Sequence, residues 1–259
     1  MHPITRAQSA FSLVELSIVL VILGLLTGKI LAGQSLIRAA ELRTVSAGLQ
    51  RYTTSAHAFR DKYMGLPGDM TNATQFWGAV TPCPNVQGTG TQTCDGDGSG
   101  TIQSSNAAGS NERFRFWQQL ANAGLVEGSY TGVVGSAGGS DAVPGSNVPT
   151  ARLASAGFHI FSAAPAGNAE QYPGSQGHII TIGGYNSGAA PQNPVMKPEE
   201  AWNIDSKIDD GKPGLGRVRS FRAGGIYNPS CATSSTASAA DYTLTSSAIG
   251  CSLMMEGGF

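Results

Sequence analysis

The densest run of ligand atoms in the chain is Asp95-Gly96-Asp97-Gly98-Ser99-Gly100-Thr101-Ile102. A carboxylate, a second carboxylate and a hydroxyl recur at alternate positions, with glycines between them and the carbonyl of Thr101 after them. Hard oxygen donors at this spacing suit a hard cation, and calcium gathers about 6–8 of them in flexible geometry. Gly100 stands where such a loop must turn sharply, and Ile102 follows as a residue to point into a core.

The pattern resembles the first eight positions of an EF-hand calcium loop, with Asp95, Asp97, Ser99 and Thr101 as ligands. It departs at the twelfth position, where a bidentate Glu is expected and Asn106 stands; Glu112 closes the site in a longer loop. The competing reading is a solvated Asp-Gly turn without an ion. Calcium is the one cofactor expected. A second acidic group, Asp205, Asp209 and Asp210, follows Pro198-Glu199-Glu200, which reads as a helix start with Ala201, Ile204 and Ile208 on its apolar face. Asp209 and Asp210 then fall at the helix C-terminus, where the macrodipole disfavours anions. A cation, a salt bridge to Arg217 or Arg219, or plain exposure offsets that.

The four cysteines group as Cys83 with Cys94 and Cys231 with Cys251, which suggests two local disulfides among three connectivities. Zinc is the alternative, but no CxxC or neighbouring His supports it. Disulfides fit an oxidising compartment. The histidines His2, His57, His159 and His178 form no HExxH, and no GxSxG elbow or phosphate loop follows a strand in a fitting context. His159 and His178 lie in apolar strand candidates and read as structural imidazoles. An enzyme is not expected. Charged residues make up 13% of the chain and the formal net charge is −1, so no nucleic-acid surface is expected.

One carboxylate is out of place. Glu15 stands in Phe11-Ser12-Leu13-Val14-Glu15-Leu16 at the head of an apolar run that reaches Lys29, after a short polar leader, Met1–Ala10. About 18 residues from Phe11 form about 27 Å of helix, enough to cross a bilayer core. A buried acid there is expensive, and a cut between Ala10 and Phe11 would set an α-amine one turn from it. Ala10-Phe11-Ser12-Leu13-Val14-Glu15 resembles the processing site of type IV prepilins and type II secretion pseudopilins. The resemblance implies cleavage by a prepilin peptidase before Phe11, N-methylation of Phe11, and pairing of Glu15 with a neighbouring subunit's amine. Ala10 stands where the family usually has Gly. An ordinary secretory signal places its apolar run before the cut rather than after it. Arg6 and His2 place the leader in the cytoplasm.

These residues need elements to hold them. Beyond Lys29, apolar residues recur at Leu36, Ala39, Leu42, Val45, Leu49, Tyr52, Ala56, Phe59 and Tyr63, the stripe of an amphipathic helix that Gly65 and Pro67 end. Gly24 and Gly28 form a GxxxG for close helix approach. A second helix is predicted over Asn111–Gly124, with Phe114, Trp117, Leu120 and Ala121 on one face, and strands at Phe158–Ser162, His178–Ile182, Arg217–Phe221 and Tyr242–Leu244. With 35 Gly, the remainder reads as loops. The expected fold is α+β and pilin-like: a long N-terminal helix, transmembrane then amphipathic, on a small antiparallel sheet with large loop insertions. The expected divisions are a leader at 1–10, a membrane or filament-core segment at 11–33, an amphipathic helix at 34–65 and a loop-rich β domain at 66–259. The resemblance implies a single-pass inner-membrane precursor with its domain in the periplasm and related subunits as filament partners. The implied role is a structural subunit of a pilus or pseudopilus; the alternative is a minor, tip or adhesin-like subunit that recognises a substrate, DNA or a surface.

Overall fold

A computed structural model describes residues 12–83, 85–103, 111–163, 169–174, 177–228 and 230–259. The leader, Ala10, Phe11 and Asn106 lie outside the described residues. The architecture is α+β, with a long N-terminal helix α1 (Leu13–Tyr63) and a four-stranded antiparallel sheet. Three further helices are α2 (Ala73–Trp77), α3 (Glu112–Asn122) and α4 (Pro198–Ile208). The strands β1 (Ala156–Ala163), β2 (Gly177–Gly184), β3 (Val218–Ser220) and β4 (Leu253–Glu256) lie in the order β1-β2-β4-β3. The chain divides into two compact units, through Glu41 and from Leu42 to Phe259, and α1 contributes to both.

In the first unit, every large apolar side chain from Leu13 to Ile37 is exposed. Among the described residues, α1 is the one helix long and apolar enough to cross a membrane. In the second unit the stripe goes under cover: Val45, Leu49, Tyr52, Ala56 and Phe59 are buried, while Leu42 and Tyr63 pack at the margin. Leu36, predicted to share that stripe, is exposed. Met64 stops α1 by adopting a left-handed backbone (φ 56°), ahead of the Gly65 and Pro67 expected to end it.

The sheet has two different faces because neighbouring side chains along a strand alternate. Phe158, Ile160, Ile180, Ile182, Leu253 and Met255 join the main core with α1 and α3, and Phe161, Ile179 and Met254 form a smaller cluster with Phe221 on the other face. Three strands lie where the alternation predicts. The fourth does not: Tyr242 makes only an isolated bridge with Ala232, and β4 at Leu253–Glu256 is the strand that joins β2 to β3.

Nine consecutive residues of α3, Glu112–Leu120, are buried. Its apolar residues enter the core, and its polar face is covered by the loop 66–103. The Gln119 amide accepts from the Gly68 N–H (2.6 Å) and donates to the Cys94 carbonyl (3.2 Å). Gln118 donates to the Gln92 carbonyl (3.1 Å) and accepts from the Thr93 hydroxyl (2.9 Å), while Arg115 donates to the Val86 carbonyl (3.0 Å). The structure pairs Cys83 with Cys94 in this loop and Cys231 with Cys251 just before β4. Trp117 is in the core, whereas Trp202 is 39% exposed.

At Gly48 the helix meets the sheet closely: a Cβ there would lie 2.6 Å from the Phe158 ring, which is itself wedged edge-on against Tyr52. Helix propensity favours replacing this glycine, by about 1 kcal/mol for Ala, but overpacking costs about 1–3 kcal/mol. The clash wins for a branched side chain. Gly48→Val is expected to destabilise the domain by about 2 kcal/mol, read from denaturant melts of the full chain in detergent.

Candidate functional site

Two places concentrate functional side chains, the start of α1 and the loop carrying Asp97. At the first, the Glu15 carboxylate accepts from the Ser12 backbone N–H (2.9 Å), and the Ser12 hydroxyl accepts from the Val14 N–H (3.3 Å). The two side chains satisfy backbone donors that a helix start leaves open, in the reciprocal manner of a capping box. The S-x-x-E spacing of Ser12 and Glu15 announces this arrangement, a helix-starting role beside the amine pairing expected of Glu15. Glu15 therefore begins the helix in which it sits.

The second place departs from the EF-hand pattern in one respect. Asp95 is not in the ligand cluster; its carboxylate accepts from the Thr74 N–H (2.8 Å) and hydroxyl (3.0 Å) in the first turn of α2. Asp69, twenty-odd residues earlier in the chain, takes the centre of the loop. Its two oxygens accept from the N–H groups of Ser99 (3.0 Å) and Gly100 (2.8 Å), and its carbonyl accepts from the Gly98 N–H (2.9 Å). The loop can wind this tightly because of Gly96, where a Cβ would lie 2.3 Å from the Asp69 backbone.

Carboxylate oxygens of Asp69, Asp97 and Glu112 all lie within 4.8 Å of one another. Asp69 and Glu112 are buried and Asp97 is exposed. Glu112 accepts from the Gln103 N–H (2.8 Å), and Asp97 from the Gln103 side-chain amide. The Ser99 hydroxyl lies 3.3 Å from the Thr101 carbonyl and 3.4 Å from Asp69. Burial, reinforced by the charges of Asp97 and Asp69, pushes Glu112 up to about 7. Burial also raises Asp69, whereas hydrogen bonds from Ser99 hold Asp97 low. Crowded acids with no cation among them hold on to protons. An all-oxygen donor set of this charge fits calcium, which would lie among Asp69, Asp97 and Glu112 with Ser99 and Thr101 beside it.

The other acidic group is already occupied by the fold. Asp205, fully buried, accepts from the Tyr242 hydroxyl (2.8 Å) and the Gly211 N–H (3.2 Å). Asp209 accepts from the backbone N–H groups of Arg217 and Val218, so the helix end is matched by the start of β3. Of the arginines considered from the sequence, Arg219 faces Glu256 at 3.8 Å. Of the two strand histidines, His178 stacks on Phe259 and donates from Nδ1 to its carbonyl (2.6 Å).

With these geometries in place, comparison with known families turns on the first of them. Residues 5–28 match the prokaryotic N-terminal methylation motif. This is the prepilin-type signature of type IV pilins and pseudopilins, and it spans Ala10, Phe11, Glu15 and the exposed apolar part of α1 as far as Gly28. It supports a type IV pilin- or pseudopilin-type protein and points to a structural filament subunit rather than an enzyme. The prepilin signature implies processing by a prepilin peptidase and assembly with other pilin subunits, and α1 is the candidate membrane anchor. No curated protein and no solved structure matches the chain.

Two outcomes follow for the acidic groups. Calcium titrated into the full chain in detergent should bind with a Kd of roughly 10⁻⁴–10⁻³ M, as in extracellular modules. In calorimetry, Asp69→Ala and Asp97→Ala should abolish the heat, while Asp95→Ala should retain it. The second outcome concerns Asp205, which burial pushes up to about 7 in the fold, against about 3.9 unfolded. Between these values the folded state holds a proton that the unfolded state has released, so this contribution to stability falls as pH rises from about 4 to about 7. Asp205→Asn should flatten that part of the pH–stability profile and melt no lower than the natural chain at pH 8.

Proposed function

We propose that this chain is a structural subunit of a helical filament of the type IV pilus or type II secretion pseudopilus kind. It is made as an inner-membrane precursor with its domain in the periplasm, cut between Ala10 and Phe11, methylated at the new terminus and assembled through α1. The observation that carries this reading is the methylation motif at residues 5–28, set on a helix whose large apolar side chains from Leu13 to Ile37 are all exposed. Two disulfides fit the same side of the membrane.

The physics of assembly follows from that exposed stretch. In lipid the apolar side chains are already solvated, so the hydrophobic effect does not draw subunits together; close packing and polar contacts must do so. Gly24 and Gly28 leave open space beside the helix, as close approach requires. Glu15 supplies the polar contact by pairing with the α-amine of an adjacent subunit, which sets the register. Once subunits leave the bilayer for the filament, neighbouring helices must cover the surface that lipid covered before. The calcium site formed by Asp69, Asp97 and Glu112 then serves as a fastening for the outward-facing domain.

The experiment is Glu15→Ala in cells that make the filament. The variant should still be cut, with Phe11 as its first residue by intact mass, and should be depleted about tenfold or more from sheared filaments. Filaments at natural abundance would sink the pairing mechanism.

A further inference from the structure

The sheet face opposite α1 carries polar groups that the filament role does not use. His159 on β1 lies beside Thr181 on β2 in register, and Phe161 follows His159 on the same face. A cavity of about 510 Å³ opens there, lined by Arg113, His159, Phe161, Ser162, Gln171 and Phe221, with Tyr227 at its side. That volume is in the range of small-molecule sites.

The wall residues are buried and short of partners. Arg113 is 4% exposed, and its one hydrogen bond among the described residues runs from Nε to the Gln103 carbonyl at 3.4 Å. Among the described residues no carboxylate forms an ion pair with it. A guanidinium keeps its charge in a protein, so Arg113 brings a positive charge to the wall. His159 is 1% exposed, and neither ring nitrogen has a hydrogen-bond partner among the described residues. Burial and the Arg113 charge keep the imidazole neutral, with one donor and one acceptor to offer. A buried polar group left unmatched costs about 1–3 kcal/mol, and buried charges are ordinarily paired. Water could meet the imidazole but carries no charge to set against the guanidinium.

We propose that this cavity binds a small organic acid, whose carboxylate is held by Arg113 and His159 and whose apolar body lies against Phe161, Phe221 and Tyr227. The planar guanidinium fork matches a carboxylate. Arg113 is also the second residue of α3, where the helix dipole favours an anion. Glu170 lines the cavity as well, so the proposed ligand is a monoanion with its carboxylate at the Arg113 end. The site goes beyond the filament role and does not depend on it.

The test uses the full chain in detergent, labelled with ¹⁵N-histidine and titrated separately with benzoate, acetate and inorganic phosphate. Benzoate should move the His159 ring signals saturably. Acetate, which lacks the apolar body, should bind about tenfold more weakly, and phosphate more weakly than benzoate. Arg113→Met should weaken benzoate binding about tenfold or more. Should that variant fail to fold, Tyr227→Ala decides, because the half-buried Tyr227 touches only the ligand's body; it should also weaken benzoate. Unmoved His159 signals, full affinity in folded Arg113→Met or in Tyr227→Ala, or phosphate binding as well as benzoate would each overturn the proposal.

Discussion

A helix buried on every side must find a partner for each polar group it carries, and in this domain that requirement falls on α3. Its apolar residues Phe114, Phe116, Trp117 and Leu120 fill the core, but Arg115, Gln118 and Gln119 are equally buried. Their donors and acceptors are met largely by the backbone of the loop 66–103. A long glycine-rich segment cannot stay ordered by burial of its own side chains, so it borrows order from the helix. The Cys83–Cys94 bridge closes the same segment, and the acidic loop begins directly after Cys94. Placement of Asp69 and Asp97 is thus a consequence of how α3 satisfies its glutamines.

Seen this way, the two sites of the domain are neighbours through one residue. The Gln103 backbone N–H donates to Glu112, and the Gln103 carbonyl accepts from Arg113. Consecutive residues of one helix turn therefore send a carboxylate into the acidic cluster and a guanidinium into the cavity on the sheet. The charges are of opposite sign, yet each serves a different cluster instead of neutralising the other.

How much of this was legible in the sequence depends on how local each feature is. The apolar run with Glu15, the stripe from Val45 to Phe59, α4 and three strands are written in short-range periodicity, and the structure has them. β4 was not legible, because Leu253-Met254-Met255-Glu256 has weak strand character and is fixed by β2 and β3 on either side. Tyr242–Leu244 has the better local pattern, but Tyr242 is drawn off to Asp205. The structure gathers Asp97 and Glu112 of the loop pattern with Asp69, which enters from a distant turn that no spacing rule covers, while Asp95 turns to Thr74. The polar face of α3 reads as a solvated face, and only the covering loop makes it buried.

The hydrogen bond between Glu15 and the Ser12 backbone has a consequence for subunits that are waiting. A carboxylate has room for several donors, so the internal bond occupies Glu15 without exhausting it. A lone acid in a bilayer would press its owner to aggregate or to be cleared. Here the acid is partly spoken for within its own chain, which lowers the cost of holding it in apolar surroundings. In the proposed filament role, an incoming amine would add to an existing contact rather than rescue a stranded charge.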